Sequence, residues 1–377
     1  MKGKQGMVCM GLLLVLSSCH TGKQITASGL QRKDFQTEVN GQHTDLFTLS
    51  NKQGMEVCIT NYGARVVSIL VPDRNGKRED VVCGFSTITE YMEQRQNFGS
   101  TVGRYIGRIL NARFTLDGVE YKLVPNNGKS GHISHGGNPG FADRIWKVEQ
   151  ADTHRVCLSY LSPDGENGFP GNLKVTLVYS LGEDDNALDL TYEATTDAPT
   201  VLNLSHHSFF NISGNFTKSV EDQQLWVDAD RFTPYDDKKC VTGEYLPVAG
   251  TPLDFRMPHA IGECIDADHP QLKVVNGYDH TWELNTKGDD TRPAAWVYDP
   301  ASGRKMEIFT TEPGMQIYTG NGLKGKMTGK GRIAYPFRSA VCFETMHFQD
   351  SPNHPGFPST VLRPGEVFRS HTVYKFE

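Results

Sequence analysis

Alternation of apolar and polar residues with a period of two is the dominant signal along this chain. Leu173, Val175, Leu177, Tyr179 and Leu181 alternate with Lys174, Thr176 and Ser180. One face of that extended segment is therefore apolar and the other polar, as a half-buried strand requires. Leu188, Leu190 and Tyr192 alternate in the same way with Asp189, Thr191 and Glu193, and Gly182-Glu183-Asp184-Asp185-Asn186 between the two runs supplies turn residues for a hairpin. Val156, Leu158 and Tyr160 predict a third strand. Helical periodicity is scarce. Its best candidate follows Thr87, which with Glu90 has capping-box spacing ahead of Tyr91 and Met92. The chain thus reads as all-β, a large antiparallel β-sandwich of two packed sheets, since a parallel sheet would require crossover helices that this sequence lacks.

The N-terminus breaks this pattern. Lys2 and Lys4 precede an apolar stretch from Met7 to Leu16 that is too short to span a bilayer. Residues 1–18 are expected to be a signal peptide, because Leu16-Ser17-Ser18-Cys19 resembles a bacterial lipobox, in which Cys19 would carry the lipid. That places the mature protein outside the cytoplasm, with the membrane as a partner through its anchor and the periplasm as the expected compartment. Residues 19–33 are polar and aperiodic and read as a tether. Residues 34–377 show no linker-like break and are expected to form one domain.

Composition narrows the partners. With 38 Lys and Arg against 44 Asp and Glu, the net charge of −6 offers no general attraction to nucleic acid. The cysteines are scattered without a C-x-x-C pair, so no zinc site is indicated, and a disulfide framework is not expected in so long a chain. Residues such as Cys342, between Val341 and Phe343, fit small buried positions.

Three stretches carry candidate chemistry. In FETMHFQDSPNHPGFPST, from Phe343 to Thr360, a strand-like run delivers Glu344 where the pattern gives way to a loop. A partly desolvated carboxylate there would have its pKa raised toward that of a useful general base; the plainer alternative is a surface salt bridge. In NLSHHSFFNISG, from Asn203 to Gly214, His206 and His207 are adjacent, so on a strand they point to opposite faces and one of them at most lines a given site. A histidine titrates near neutrality and suits a general acid, and a hydrogen-bonded core histidine is the competing reading. In HISHGGNPGFADRIW, from His132 to Trp146, His135 precedes two glycines that permit either close approach of a ligand or a positive-φ turn.

GRYIGRI (Gly103 to Ile109), SHGG (Ser134 to Gly137), HHSFFN (His206 to Asn211), GYDH (Gly277 to His280), PGMQIYTGN (Pro313 to Asn321) and FETMHFQDSPN (Phe343 to Asn353) occur in this order. Together they resemble the aldose 1-epimerase, or galactose mutarotase, family from about Thr44 to the C-terminus. The resemblance implies a β-supersandwich holding a free aldose in a polar cleft, with Glu344 as general base, His207 as general acid, His135 at the ring oxygen, and Arg108, Asp279 and Gln316 on the sugar hydroxyls. It implies no metal, nucleotide or redox cofactor. Two departures stand out: Gly107 occupies a position where the family usually has Asn, and His206 one where it often has Asn.

Two other functions compete. A glycoside hydrolase would need two carboxylates about a scissile bond; Asp279 and Glu344 are available, but the match of His207 points away from it. A carbohydrate-binding lipoprotein that keeps the cleft without catalysis is favoured by Gly107 and opposed by the retention of both Glu344 and His207.

Overall fold

A computed structural model describes residues 24–377. The expected signal peptide and Cys19 lie outside the described residues. The three strands read from the alternation are Arg155–Ser162, Leu173–Leu181 and Ala187–Thr196, antiparallel neighbours with Leu181 opposite Leu188 across the expected hairpin. They belong to a nine-stranded sheet, which continues through Phe368–Phe376, Lys305–Thr310, Ala295–Tyr298 and Gln224–Val227 to His259–Ala260, with Lys147–Ala151 at the opposite edge. Leu173, Val175, Leu177 and Tyr179 are fully buried while Lys174 is exposed, so this sheet wears the period of its sequence on its two faces.

A second sheet of six strands runs Phe209–Phe210, Val341–Met346, Gly314–Tyr318, Asp279–Glu283, Arg231–Thr233, Leu246–Pro247. All six residues of Val341–Met346 are buried. Val341 and Phe343 join Ile317, Trp282 and the apolar face of the nine-stranded sheet in one continuous core that extends from Leu49 to Phe376. Cys342, Glu344 and Met346 alternate with them and occupy the other face, where further chain covers them. Glu344 is therefore mid-strand, not at a strand end as the sequence pattern suggested. The pattern dissolves there because the second face is buried beneath polar and aromatic groups, not because the strand stops.

The expected short helix is Ile88–Gln94, with both halves of the capping box formed: Thr87 Oγ1 accepts from Glu90 N at 3.2 Å and Glu90 Oε2 from Thr87 N at 2.9 Å. A second helix, Pro270–Val275, has Pro at its first turn and was not evident from periodicity. The described part of the expected tether is packed against the body. Thr26 and Leu30 are buried, Ala27 N donates to Glu56 Oε1 at 2.7 Å, and Leu30 joins a cluster with Phe35, Leu46 and Tyr91. A single apolar anchor, the Arg32–Asp45 ion pair and hydrogen bonds to Glu56 fix this segment, and none of them leaves a periodic trace. Cys58, Cys83, Cys157, Cys240, Cys264 and Cys342 are free thiols, and Cys58, Cys83 and Cys342 are buried.

Candidate active site

Above the six-stranded sheet a cleft of about 240 Å³ collects Arg108, His135, His207, Asp279, Gln316 and Glu344, all six of the cleft residues singled out from sequence. Register explains half of this convergence. Gln316 pairs with Glu344 across one ladder and with Thr281 across the next, and Thr281 lies two residues, one strand repeat, from Asp279. Residues directly opposite or two apart share a face. His207 arrives on the short strand Ser205–His207, paired with Ser100–Val102. Its ring lies 5.0 Å from that of Phe209, nearly parallel to it.

His206 and His207 divide as adjacent strand residues must. His206 points into the core, where its Nε2 is 2.6 Å from Ser208 Oγ and burial lowers its pKa to about 3. His207 points into the cleft, with Nε2 3.4 Å from Glu344 Oε1 and both side chains almost wholly shielded from solvent. Burial pushes the Glu344 carboxyl well above the usual carboxylate range, and the charge of Asp279 adds to the shift. Burial also pulls His207 well below the usual imidazole value, with His135 contributing. His135 is held down to about 4 by burial and then by Arg108. The rings of His135 and His207 meet edge to face at 5.5 Å, and the Nδ1 atoms of both are buried without a protein partner.

Beside Glu344 on the same sheet face, Gln316 Nε2 donates to Asp279 Oδ1 at 2.7 Å, and Gln316 Oε1 accepts from Thr281 Oγ1. Arg108 reaches toward the rim, and its Nη1 is 3.5 Å from the Lys239 carbonyl. The glycines after His135 serve the backbone: Gly136 has φ +77°, and a Cβ there would sit 2.0 Å from the Gly103 carbonyl oxygen. They hold His135 in place through close chain packing.

Sequence reading missed Phe209, Tyr318 and Gln349, which line the cleft, and Tyr235 behind it, which Gln349 Nε2 reaches at 2.7 Å. The first three lie inside motifs already singled out, so their positions were visible although their roles were not. Gln96 and Asn97, also in the lining, come from the turn after the first helix and carried no signal. Among the described residues, His207, Cys342 and Glu344 form a group with metal-ligand atoms, all within 4.8 Å of one another. A cation there would occupy the same atoms that face each other in the His207–Glu344 pair.

The arrangement can exchange protons with two oxygens of one small polyhydroxylated molecule while neutral and charged groups hold the others. A family model described as Aldose 1-epimerase matches residues 45–375. The galactose mutarotase of Bos taurus is 40% identical over 331 residues, covering 88% of this chain and 93% of that protein. The aldose 1-epimerase of Escherichia coli (strain K12) is 36% identical over 339 residues, covering 89% and 96%. Among solved structures, a GalM/aldose epimerase homologue from C. elegans superimposes with a TM-score of 0.81 at 30% identity, covering 89% of this chain and 99% of its own. A galactose 1-epimerase from Lactobacillus acidophilus NCFM gives 0.79 at 28% identity, covering 90% and 96%.

Proposed function

Because this chain belongs to the aldose 1-epimerase family and is a mutarotase that interconverts the α and β anomers of free aldoses, we propose that Glu344 and His207 are its base and acid. The observation that carries the assignment is their 3.4 Å approach on the buried wall of the cleft. Opening a hemiacetal requires loss of the proton on the C1 hydroxyl and gain of one at the ring oxygen. Glu344 as carboxylate takes the first; His207 as imidazolium gives the second. The C1–O5 bond breaks, its electron pair goes to O5, and the electrons of the O1–H bond form the aldehyde carbonyl.

The pair still carries one proton, now in its neutral form, carboxylic acid beside imidazole. Burial raises the cost of the charged form, and mutual attraction at 3.4 Å offsets part of that cost. A pair that takes one proton and gives another keeps its own proton count, which suits a reaction that runs through the same groups in both directions. After rotation about C1–C2, O5 attacks the other face of the carbonyl, His207 takes the O5 proton and Glu344 gives one to O1, which yields the opposite anomer. His135 steadies the ring oxygen, and Arg108, Asp279 and Gln316 hold the hydroxyls, which supplies orientation.

Polarimetry of freshly dissolved α-D-galactose and α-D-glucose with the full-length chain, beside Glu344→Gln and His207→Ala, tests these roles. Relaxation well above the buffer rate that disappears in both variants is expected. A Glu344→Gln protein as fast as wild type would remove the base assignment.

The N-terminal sequence supports a lipid-anchored form outside the cytoplasm, with Cys19 acylated, since the charged, apolar and lipobox segments follow one another in the required order. Radiolabelled palmitate should enter the wild-type protein in bacterial cells and not Cys19→Ser. Equal labelling of both would refute the anchor.

A further inference from the structure

Position 107 offers no side chain to the wall of the cleft, and the group that fills its place comes from elsewhere in the sequence. Gly107 has φ +75°, and a Cβ there would lie 2.5 Å from Gln349 Cγ and 3.0 Å from Gln349 Cδ. Both residues line the cleft. Carbons cannot approach so closely in a packed interior, so Gln349 occupies its position only because residue 107 stops at Cα.

The Gln349 side chain is held at both ends of its amide. Its Nε2 donates to Tyr235 Oη at 2.7 Å and to Gln316 Oε1 at 3.3 Å, which engages both of its hydrogens. Its Oε1 accepts the Arg108 backbone N–H at 3.3 Å. A carbonyl oxygen has two lone pairs, so the acceptor is half used. The neighbouring acceptors, Asp279 and Glu344, are carboxyl groups; Gln349 is a neutral one, fixed in orientation and linked to Gln316 and Arg108.

We propose that Gln349 is a substrate-positioning and specificity-determining residue, whose Oε1 accepts a hydrogen bond from an aldose hydroxyl on the side of the cleft where Gly107 contributes nothing. The assignment rests on the mutarotase reading of the same cleft. Glycine at 107 and glutamine at 349 act as a unit, and the unit sets which hydroxyl configuration is held.

The test compares full-length wild type with Gln349→Met, Gly107→Asn, and the double variant Gly107→Asn with Gln349→Ala, on galactose and on glucose. Methionine keeps the length of glutamine and removes both polar atoms. Asparagine tolerates left-handed backbone better than most residues, and the double variant carries the same backbone cost as Gly107→Asn, so the difference between the two reports the collision with Gln349.

Gln349→Met should raise KM for at least one of the two sugars about 3- to 10-fold, as expected for one lost hydrogen bond between uncharged groups, with a much smaller change in kcat. Gly107→Asn should raise KM further, and the double variant should recover part of that loss, because the new amide then has room. Calorimetric titration with galactose should show the same order of affinities. Unchanged KM and affinity in Gln349→Met, or loss of kcat alone, would overturn the proposal and leave Gln349 as a brace for Tyr235. Absence of turnover in wild type with the titration order intact would instead remove the mutarotase reading while keeping the contact.

Discussion

The two large sheets use burial in opposite ways. In the nine-stranded sheet, Leu173–Leu181 buries one face and exposes or half-exposes the other, so its interior is aliphatic and its polar groups meet water. In the six-stranded sheet, Val341–Met346 buries both faces, and the second face carries Glu344 opposite Gln316. The first arrangement makes stability from apolar area; the second gives some of it up, since burying ionisable groups costs free energy unless they are paired. The sheet that holds the cleft is carried by the sheet that does not, through the core they share.

Substitutions separate the two most sharply at their centres. Glu344→Gln is expected to lower kcat/KM about 10²- to 10⁴-fold without loss of Tm. The sign follows from the raised pKa of Glu344: the folded protein disfavours the carboxylate, so stability falls as pH rises above the unfolded value of about 4.3. Glutamine removes that cost, and the variant should melt at or above wild type at pH 8, with the difference closing near pH 4. A large drop in Tm at pH 8 would mean that Glu344 is a structural element. Leu177→Ala should do the reverse, destabilising by about 2–5 kcal/mol in urea titration while KM and kcat of the folded fraction stay unchanged. A change in KM would show that the sheets are not separable in this way.

A smaller, pH-gated effect belongs to the edge of the same division. His371 bridges Asp189 at 2.8 Å and Asp290 at 2.6 Å, and these partners raise its pKa to about 9. Its contribution is complete below the unfolded value of about 6.5 and is lost as pH rises through about 9. The Tm gap between wild type and His371→Gln should therefore be widest near pH 6 and absent at pH 10. Thr87→Ala, which removes half of the capping box, is expected to cost about 1 kcal/mol and to leave mutarotation untouched.

The same contrast decides what could be read from sequence. Alternation in Leu173–Leu181 and Leu188–Tyr192 was legible because each residue answers to one environment, core or water. Glu344 was found as a residue but misplaced at a strand end, because a strand buried on both faces loses its period. His206 and His207 were separable by strand geometry alone, while choosing between them required knowing which face meets the cleft. Gln349 was hidden for another reason: its significance depends on Gly107, far away in the chain, and only three-dimensional proximity connects them. Residues 24–33 looked like tether because one buried leucine makes no pattern.

The ladder that sets Glu344 opposite Gln316, and Gln316 opposite Thr281, makes this wall of the cleft a matter of strand register. A slip of one residue would turn a strand's whole facing set away from the cleft at once, so position along the strand, and not residue identity alone, decides which groups meet there.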